Sequence, residues 1–229
     1  MAKIKFGSIV ADGRGKINGH VLSKNRGGAY LRTKVTPVNP RTLAQNLVRA
    51  RFGTLSSGWR TLTVAQQLAW NGAVLAWGRS DIFSDVRNPS GQQLYQRVNN
   101  NLLSSGAAQI ASPAPNLGVK TVLAGVLTYT SGAPSLSLAR SGAVPAATRM
   151  KVFSTPPLSA GVSFVKSQLR LITTVAAAVA SPDNLLSAYT TKFGAVGAVG
   201  SKIFVGIQFV DSVSGASSPM QIVSAIAAT

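Results

Sequence analysis

Hydrophobic and polar residues alternate differently in three successive parts of the chain. In residues 1–37, short β-prone pairs such as Val21-Leu22 are separated by glycines and by Lys or Arg. Asn18-Gly19 stands between two such pairs, and these residue types tolerate the positive φ angles that tight hairpin turns require. The pattern predicts a basic, glycine-rich β-ribbon over residues 1–37.

Apolar residues of the second part, residues 38–106, recur at helical spacing. Asn39-Pro40 predicts a helix start, because Asn can cap a helix and Pro at the first helical position lacks only an N–H that would have no partner. We expect a break in this helix at residues 56–58, Ser-Ser-Gly. The apolar positions that define it are Leu43, Leu47, Ala50, Leu55 and Trp59.

Two capping boxes predict further helices in the second part. Thr63 with Gln66, and Ser90 with Gln93, have the spacing at which a hydroxyl and a glutamine side chain each bind the other residue's backbone N–H. Gly106 is expected to end the second of these helices, because glycine readily adopts the left-handed conformation of a C-cap.

The third part follows residues 107–118, a segment rich in Ser, Ala and Pro with the composition of a domain boundary. Beyond it, short runs that alternate polar and apolar residues are separated by turn residues. Seven such runs are typical of a β-sandwich, and the lack of a cysteine pair leaves only the looser fibronectin-like form. The runs are 119–129, 134–140, 148–155, 167–175, 185–193, 202–210 and 220–227.

These patterns together predict an α+β protein of 229 residues. Its N-terminal β-ribbon would occupy residues 1–37 and its small helical region residues 38–106. A linker over residues 107–118 would then lead to an all-β fibronectin/Ig-like sandwich over residues 119–229.

The net charge narrows the expected partners. The chain has 23 Lys and Arg against five acidic residues, all of them Asp, and a formal charge of +18. Residues 1–60 hold 12 of the basic residues and one acid, Asp12. Such a positive field favours polyanions or acidic protein surfaces as neighbours.

The lack of cysteine and the short apolar runs argue against a disulfide-bonded, a membrane-spanning or a secreted protein. With no cysteine, the chain has no disulfide and no thiolate metal site. No apolar run reaches the roughly 18 residues that span a bilayer, and the N-terminus lacks the apolar segment of a secretory signal. We expect a soluble protein, made in a cytoplasm, with no membrane partner.

Candidate catalytic groups are few. Residues 13–19, "GRGKING", lack the spacing of a phosphate-binding loop. His20 is the only histidine, so a His-based metal site or a Ser-His-Asp triad has one candidate, which we interpret as a surface residue of the ribbon. Two-carboxylate chemistry would need a pair such as Asp81 and Asp85. These two are better interpreted as charges in an exposed loop over residues 81–89 that offset Arg79 and Arg87. We expect no enzyme activity, catalytic residue, cofactor, metal or small-molecule substrate.

The three tryptophans allow two interpretations. Trp59, Trp70 and Trp77 could stack on bases in a basic groove. Trp70 and Trp77 are seven residues apart on a predicted helix, however, and would share a face with Val74. We therefore favour a structural core for the three tryptophans.

The basic residues of the first part remain as docking candidates. On a ribbon they could neutralise phosphates without reading sequence. They could equally contact an acidic protein neighbour, or serve solubility alone. No signature of a sequence-specific nucleic-acid reader is present. The candidates are Lys16, Lys24, Arg26, Arg32, Lys34, Arg41, Arg49 and Arg51.

Two long stretches combine glycines, basic residues and tryptophans: "GKINGHVLSKNRGGAYLR" and "TPVNPRTLAQNLVRARFGTLSSGWRTLTVAQQLAW". They resemble an uncharacterised family of virion-type structural proteins from tailed bacteriophages and prophages. "VFSTPPLSAGVS" and "AYTTKFG" are similar to the β-sandwich that often follows in such proteins. The residues that carry the resemblance are Gly15, Gly19, Arg26, Gly28, Tyr30, Arg32, Pro37, Asn39, Pro40, Thr42, Gln45, Arg51, Phe52, Trp59 and Trp70.

The resemblance implies a non-enzymatic component of a phage virion, either capsid-associated as a decoration protein or part of the head-tail connector. Its basic N-terminal region would attach it to the particle and its sandwich would be presented outward or between copies. Its partners would be other virion proteins and copies of itself, and its location the virion, after assembly in the host cytoplasm. The alternative is a non-specific nucleic-acid-binding protein that contacts packaged DNA. On the leading interpretation, a chain without residues 1–37 should fold but fail to assemble.

Overall fold

The computed structural model describes residues 2–10 and 12–229. Within that part of the chain, four α-helices and 13 β-strands in antiparallel sheets form a mixed α+β protein, as the sequence predicts. The residues group into two compact units. The small unit comprises Met1–Ala50 and Gly78–Arg87, and the large unit comprises Arg51–Trp77 and Asn88–Thr229.

The small unit contains a four-stranded antiparallel sheet, called here the N-terminal sheet. Asn18, with a φ of 48°, stands in the turn between its second and third strands, as the Asn-Gly signal predicts. Gly28 has a φ of 103° at the start of the fourth strand, a conformation that favours glycine. The order is β1-β4-β3-β2, with β1 Ala2–Ile4, β2 Gly15–Ile17, β3 His20–Asn25 and β4 Gly28–Thr33.

A second, two-stranded sheet of the small unit lies where the sequence predicts a loop. Strands β5 (Arg79–Ser80) and β6 (Val86–Arg87) pair as a short hairpin. The Asp81 carboxylate shapes its turn by accepting the backbone N–H groups of Phe83 at 2.8 Å and Asp85 at 3.2 Å.

Helix α1 spans Leu43–Thr61 and begins later than Asn39-Pro40 predicts. Arg41 has a φ of 51°, which lies outside the right-handed helical region, so the helix cannot include it. Thr42 then supplies the first side-chain acceptor, because its hydroxyl accepts the Gln45 N–H at 3.3 Å. The Asn-Pro pair therefore precedes the helix without capping it.

The break expected at residues 56–58 is not formed, and α1 continues through them. The Ser56 hydroxyl donates to the Phe52 carbonyl at 2.9 Å, which keeps this serine within the helical pattern. A Cβ at Gly58 would lie 2.8 Å from the Tyr95 hydroxyl, so this glycine permits close helix packing. Tertiary contact overrides the local turn signal.

Two capped helices follow in the large unit, as predicted. Helix α2 spans Val64–Ala73 and continues as a 3-10 turn over Val74–Trp77, and helix α3 spans Gly91–Ser105. Both capping boxes are confirmed, with Thr63 and Ser90 as the N-cap residues. Gly106, with a φ of 78°, ends α3 in the left-handed conformation.

Two antiparallel sheets of the large unit share one hydrophobic core. One has the order β10-β9-β12-β13 and the other β11-β8-β7. Residues at alternate positions of β9 and β12, including Met150, Val152, Ile203, Val205, Ile207 and Phe209, are buried in this core with residues from β7 and β8. The strands are β7 Ala124–Thr130, β8 Ser135–Arg140, β9 Thr148–Ser154, β10 Arg170–Val175, β11 Asp183–Asn184, β12 Lys202–Asp211 and β13 Gln221–Ile226.

The prediction of a strand over residues 185–193 is wrong. Helix α4 occupies Leu186–Phe193. Leu185, Tyr189 and Phe193 recur every four residues, and the Tyr189 and Phe193 rings lie 5.1 Å apart between centroids. This helical spacing outweighs the β preference of Thr190 and its neighbours.

The predicted linker, residues 107–118, is anchored to the helices by buried polar groups. The Asn99 amide accepts the Ile110 N–H at 2.8 Å and donates to the Ile110 carbonyl at 3.1 Å. The Trp70 indole N–H donates to the Ala111 carbonyl at 2.8 Å. The predicted helical region from Arg51 and the predicted sandwich accordingly belong to one compact unit, apart from the hairpin of β5 and β6.

Candidate docking surface

The strand register divides the N-terminal sheet into two faces of different chemistry. Directly paired residues of antiparallel strands lie on the same face, and successive residues of a strand lie on opposite faces. The apolar face carries Ile4, Ile17, Leu22, Ala29 and Leu31, with Ala2, Gly15, His20, Lys24 and Thr33. The basic face carries Lys3, Lys16 and Arg32, with Val21, Ser23, Asn25, Gly28 and Tyr30.

The apolar face has no buried side chain among its described residues. Leu22 and Leu31 are half-buried, and Ile17 is 57% exposed. In the described chain, the buried hydrophobic residues all belong to the large unit. The small unit therefore has a patterned sheet without a core beneath it.

The first half of α1 adds further exposed apolar side chains to the small unit. Leu43 is 89% exposed, and Leu47 and Val48 are also exposed. In the large unit the same helix buries Leu55 and packs the half-buried Trp59 against the helical core. The apolar character of α1 thus extends beyond the part that is covered.

The predicted docking residues do not form one group. Lys16 and Arg32 lie on the basic face, each directly paired with Val21, whereas Lys24 lies on the apolar face. The others lie off the sheet: Arg26 in the turn between β3 and β4, Lys34 directly after β4, Arg41 before α1, and Arg49 and Arg51 on α1. Arg51 is half-buried, and the other seven are exposed.

Lys3, which the sequence did not single out, belongs to a charged cluster at the β1 edge. Its ammonium group donates to the Asp81 carboxylate, and Asp81 also lies 3.5 Å from the Arg87 guanidinium. The Lys3 hydrogen bond, with help from backbone N–H donors, lowers the pKa of Asp81 to about 2. Lys5 lies 5.2 Å from the centroid of the Phe83 ring. These contacts fasten the β5–β6 hairpin to the sheet.

In the described ion pairs, the acids predicted to offset Arg79 and Arg87 contact Arg87 only. Asp81 and Asp85 both pair with the Arg87 guanidinium, at 3.5 Å and 3.4 Å. Asp81 also forms an ion pair with Lys3. His20 is exposed on β3.

The tryptophans lie in the helical core of the large unit. Trp70 is 1% exposed and Trp77 is also buried, while Trp59 is half-buried. The Tyr95 ring lies 5.4 Å from Trp70 and 5.6 Å from Trp59 between centroids. Trp59 and Trp70 thus both pack against Tyr95.

A second cationic group of the large unit lies at the C-terminal end of α3. Lys151 on β9 is buried and donates to the Ser104 hydroxyl at 2.5 Å. Burial, and then the charge of Arg51, lowers the pKa of Lys151 to about 8. Arg149 donates to the Ser105 carbonyl at 3.5 Å. Cations are favourable at this negative end of the helix dipole, so the group joins α3 to the sheet.

Two cavities of the large unit are lined mainly by apolar and hydroxyl groups. One of about 540 Å³ is lined by Phe153, Lys166, Leu169, Pro219, Met220 and Ile222. Another, of about 450 Å³, is lined by Pro134, Asn184, Leu186, Ser187, Thr190, Ala195 and Val196. Neither lining set supplies the paired carboxylates or the base and nucleophile of the sites considered above.

The described residues contain no group of three or more His, Cys, Asp or Glu side chains that could hold a metal ion. They also contain no helix that is both long enough and apolar enough to cross a membrane. Comparison of the chain with protein-family models, with curated proteins and with solved structures gives no match.

Proposed function

We propose that this chain is a non-enzymatic structural component of a tailed-bacteriophage virion that attaches to the particle through its small unit. The observation that carries the proposal is the unequal distribution of burial. All buried hydrophobic residues of the described chain lie in the large unit, while the small unit exposes apolar side chains on both its sheet and its helix. The large unit has a core of its own, and the small unit needs a partner.

A sheet of this kind gains its stability from what covers it. Small sheets need a packed hydrophobic face, because hydrogen bonds alone leave them marginal in water. Exposed apolar patches on folded proteins mark interaction sites. The exposed apolar side chains of the small unit are Ile9, Val10, Ile17, Val35, Val38, Leu43, Leu47, Val48, Ile82, Phe83 and Val86. A protein surface is the occupant that this set fits best.

Assembly into a virion accounts for the rest of the composition. A structural protein of a symmetric particle works through repeated contacts with its neighbours and with copies of itself. The resemblance of residues 15–32 and 36–70 to virion-type sequences supports a place in the capsid, as a decoration protein, or at the head-tail connector. The protein would be found in the virion and, during assembly, in the host cytoplasm.

The large unit would present a fibronectin-like sandwich. Its strand order supports this assignment, because β7, β8 and β11 form one sheet while β10, β9, β12 and β13 form the other. Naming the seven strands A, B, C, C′, E, F and G in chain order gives sheets ABE and C′CFG. The constant-type Ig sandwich has sheets ABED and CFG, so the two arrangements differ in which sheet holds the fourth strand.

A contact with packaged DNA is a second candidate function. The basic face of the N-terminal sheet supports it, since a phosphate backbone attracts Lys and Arg without needing apolar contact. The apolar face supports a protein partner. The two contacts are compatible, because they use opposite faces.

Quantitative mass spectrometry of purified phage particles tests the proposal. We expect the protein in particles at a fixed ratio to the major capsid protein, with a copy number that matches a capsid or connector symmetry. An abundant non-virion protein of the same infected cells serves as the control for carry-over. If the protein is depleted from particles to the level of that control, the proposed function is wrong.

A further inference from the structure

The basic face of the N-terminal sheet has a charge pattern that the proposed docking through the apolar face does not use. Lys16 on β2 and Arg32 on β4 are both paired with Val21 of the strand between them. Neighbouring strands lie about 4.8 Å apart, so the two backbone positions are roughly 10 Å apart across the sheet. Both side chains are exposed.

The acids of the small unit are committed to other cations. Asp12 lies 3.4 Å from Arg14. Asp81 pairs with Lys3 and Arg87, and Asp85 pairs with Arg87. In the described ion pairs Lys16 and Arg32 therefore have no carboxylate partner. Their charge is available to an external anion.

The neutral residues of the same face suit a phosphate backbone. Ser23 and Asn25 occupy alternate positions of β3, and Tyr30 is paired with Ser23. Hydroxyl and amide groups donate hydrogen bonds to phosphate oxygens in many DNA complexes. The face thus combines cations with neutral donors and has no acidic residue among its strand positions.

The apolar face of the sheet carries fewer cations than the basic face. Lys24 is its only Lys or Arg, directly paired with Ala29 and among Leu22, Leu31 and Ile4 on that face. Phosphates that contact a protein lose water and need charged or hydrogen-bonding partners in its place. A single cation surrounded by apolar side chains does not supply enough of these partners for several phosphates. The sheet is consequently two-sided, with its anion-binding capacity on one side.

We propose that the basic face binds the phosphate backbone of duplex DNA through Lys16 and Arg32, without reading its sequence. Twelve of the 23 Lys and Arg residues lie in the small unit with three Asp, so the field of the whole unit attracts the same polyanion. The inference rests on the proposed function for the occupant of the apolar face. In a particle, the small unit would then stand between a protein shell and packaged DNA.

Fluorescence anisotropy of a labelled 30-base-pair duplex, titrated with the full chain over a range of salt, tests the proposal. Removing one phosphate contact should reduce the slope of log K against log salt by about 0.9 and weaken binding roughly five- to tenfold at 0.1 M salt. We expect this for Lys16→Ala and for Arg32→Ala. Lys24→Ala is the matched control, because it removes the same charge from the same sheet on the other face, and its slope should stay within about 0.3 of the parent chain.

Three results would overturn the inference. Equal changes in slope for Lys24→Ala and Arg32→Ala would mean that the charge acts diffusely. If the full chain does not bind DNA at 0.15 M salt, then DNA is not the ligand of the basic face. Binding to polyglutamate that depends on Lys16 and Arg32, without binding to DNA, would identify an acidic protein partner instead. The particle measurement stays independent, because a chain absent from particles could still bind DNA by this face, and a virion protein could fail to do so.

Discussion

At the scale of single residues, Arg140 of the large unit donates five side-chain hydrogen bonds. Its side chain is fully buried and donates to both carboxylate oxygens of Asp183, at 2.5 Å and 3.0 Å. It also donates to the carbonyls of Gly142, Val179 and Ala180 at 2.7–3.2 Å. A buried guanidinium is tolerated only when its charge and its donors are satisfied. The pair therefore fixes the segment before β11 to the end of β8.

Replacing one member of this pair should be costly. Asp183→Asn leaves the guanidinium buried without a counter-charge, and we expect the free energy of unfolding to fall by about 3–5 kcal/mol. Urea denaturation followed by tryptophan fluorescence measures it, since the tryptophans lie in the same unit. Asp183→Asn combined with Arg140→Met should cost less than the sum of the two single changes. A loss below about 0.5 kcal/mol for Asp183→Asn would show that the pair is not a stabilising contact.

The two faces of the N-terminal sheet could have been predicted from residue identities alone. In β3, His20, Leu22 and Lys24 alternate with Val21 and Ser23, and the period of a strand places these two sets on opposite faces. Grouping the basic residues by position along the chain missed this, because Lys16 and Lys24 look equivalent in a list of charges. The burial of Lys151 could not have been predicted in this way. Alternation along β9 places Lys151 on the face opposite Met150 and Val152, and only the packing of α3 on that face buries it.

At the scale of elements, the contact between α3 and the turn after β12 joins the helices of the large unit to its sheets. Gly215, with a φ of 66°, lies in this turn, and the Asn101 amide donates to its carbonyl at 3.0 Å. A Cβ at Gly215 would lie 2.8 Å from both the Val98 carbonyl oxygen and its Cγ1 atom. Only glycine fits both the backbone conformation and the space.

Two glycine substitutions separate the cost in stability of the backbone conformation from the cost of the lack of space. Gly200 has a φ of 83° with open space around its Cβ position, so Gly200→Ala should cost only about 1–2 kcal/mol for the left-handed conformation. Gly215→Ala should cost that amount and a further 1–3 kcal/mol or so, because α3 would have to move. Urea denaturation of both variants measures the difference. If Gly215→Ala costs no more than Gly200→Ala, then α3 does not pack closely on this turn.

Elements with strong local signals could be predicted, and those decided by tertiary contact could not. The capping boxes at Thr63 and Ser90 specify helix starts by their own hydrogen bonds, which need no distant partner. The continuity of α1 through Gly58 depends on Tyr95, which is far away in sequence. Residues 185–193 contain both a β preference and a helical period, and the core contact of Tyr189 favours the helix.

At the scale of the whole molecule, burial and charge are distributed in opposite ways. The small unit holds about a quarter of the chain and more than half of the basic residues, with no buried hydrophobic residue among those described. The large unit holds the two hydrophobic cores. Stability should therefore reside in the large unit and attachment in the small one.

Incorporation into particles by a chain that starts at residue 38 tests this division most directly. The chain should unfold in urea at nearly the same midpoint as the full chain, since it keeps both cores. In a competition assembly with the full chain, we predict that its share of the particles, measured by mass spectrometry, falls at least about tenfold.

The full-length variant Leu22→Ser/Leu31→Ser keeps the charge and length and should also lose incorporation, because it removes the apolar face. A shortened chain that folds as predicted and still enters particles as well as the full chain would contradict the account.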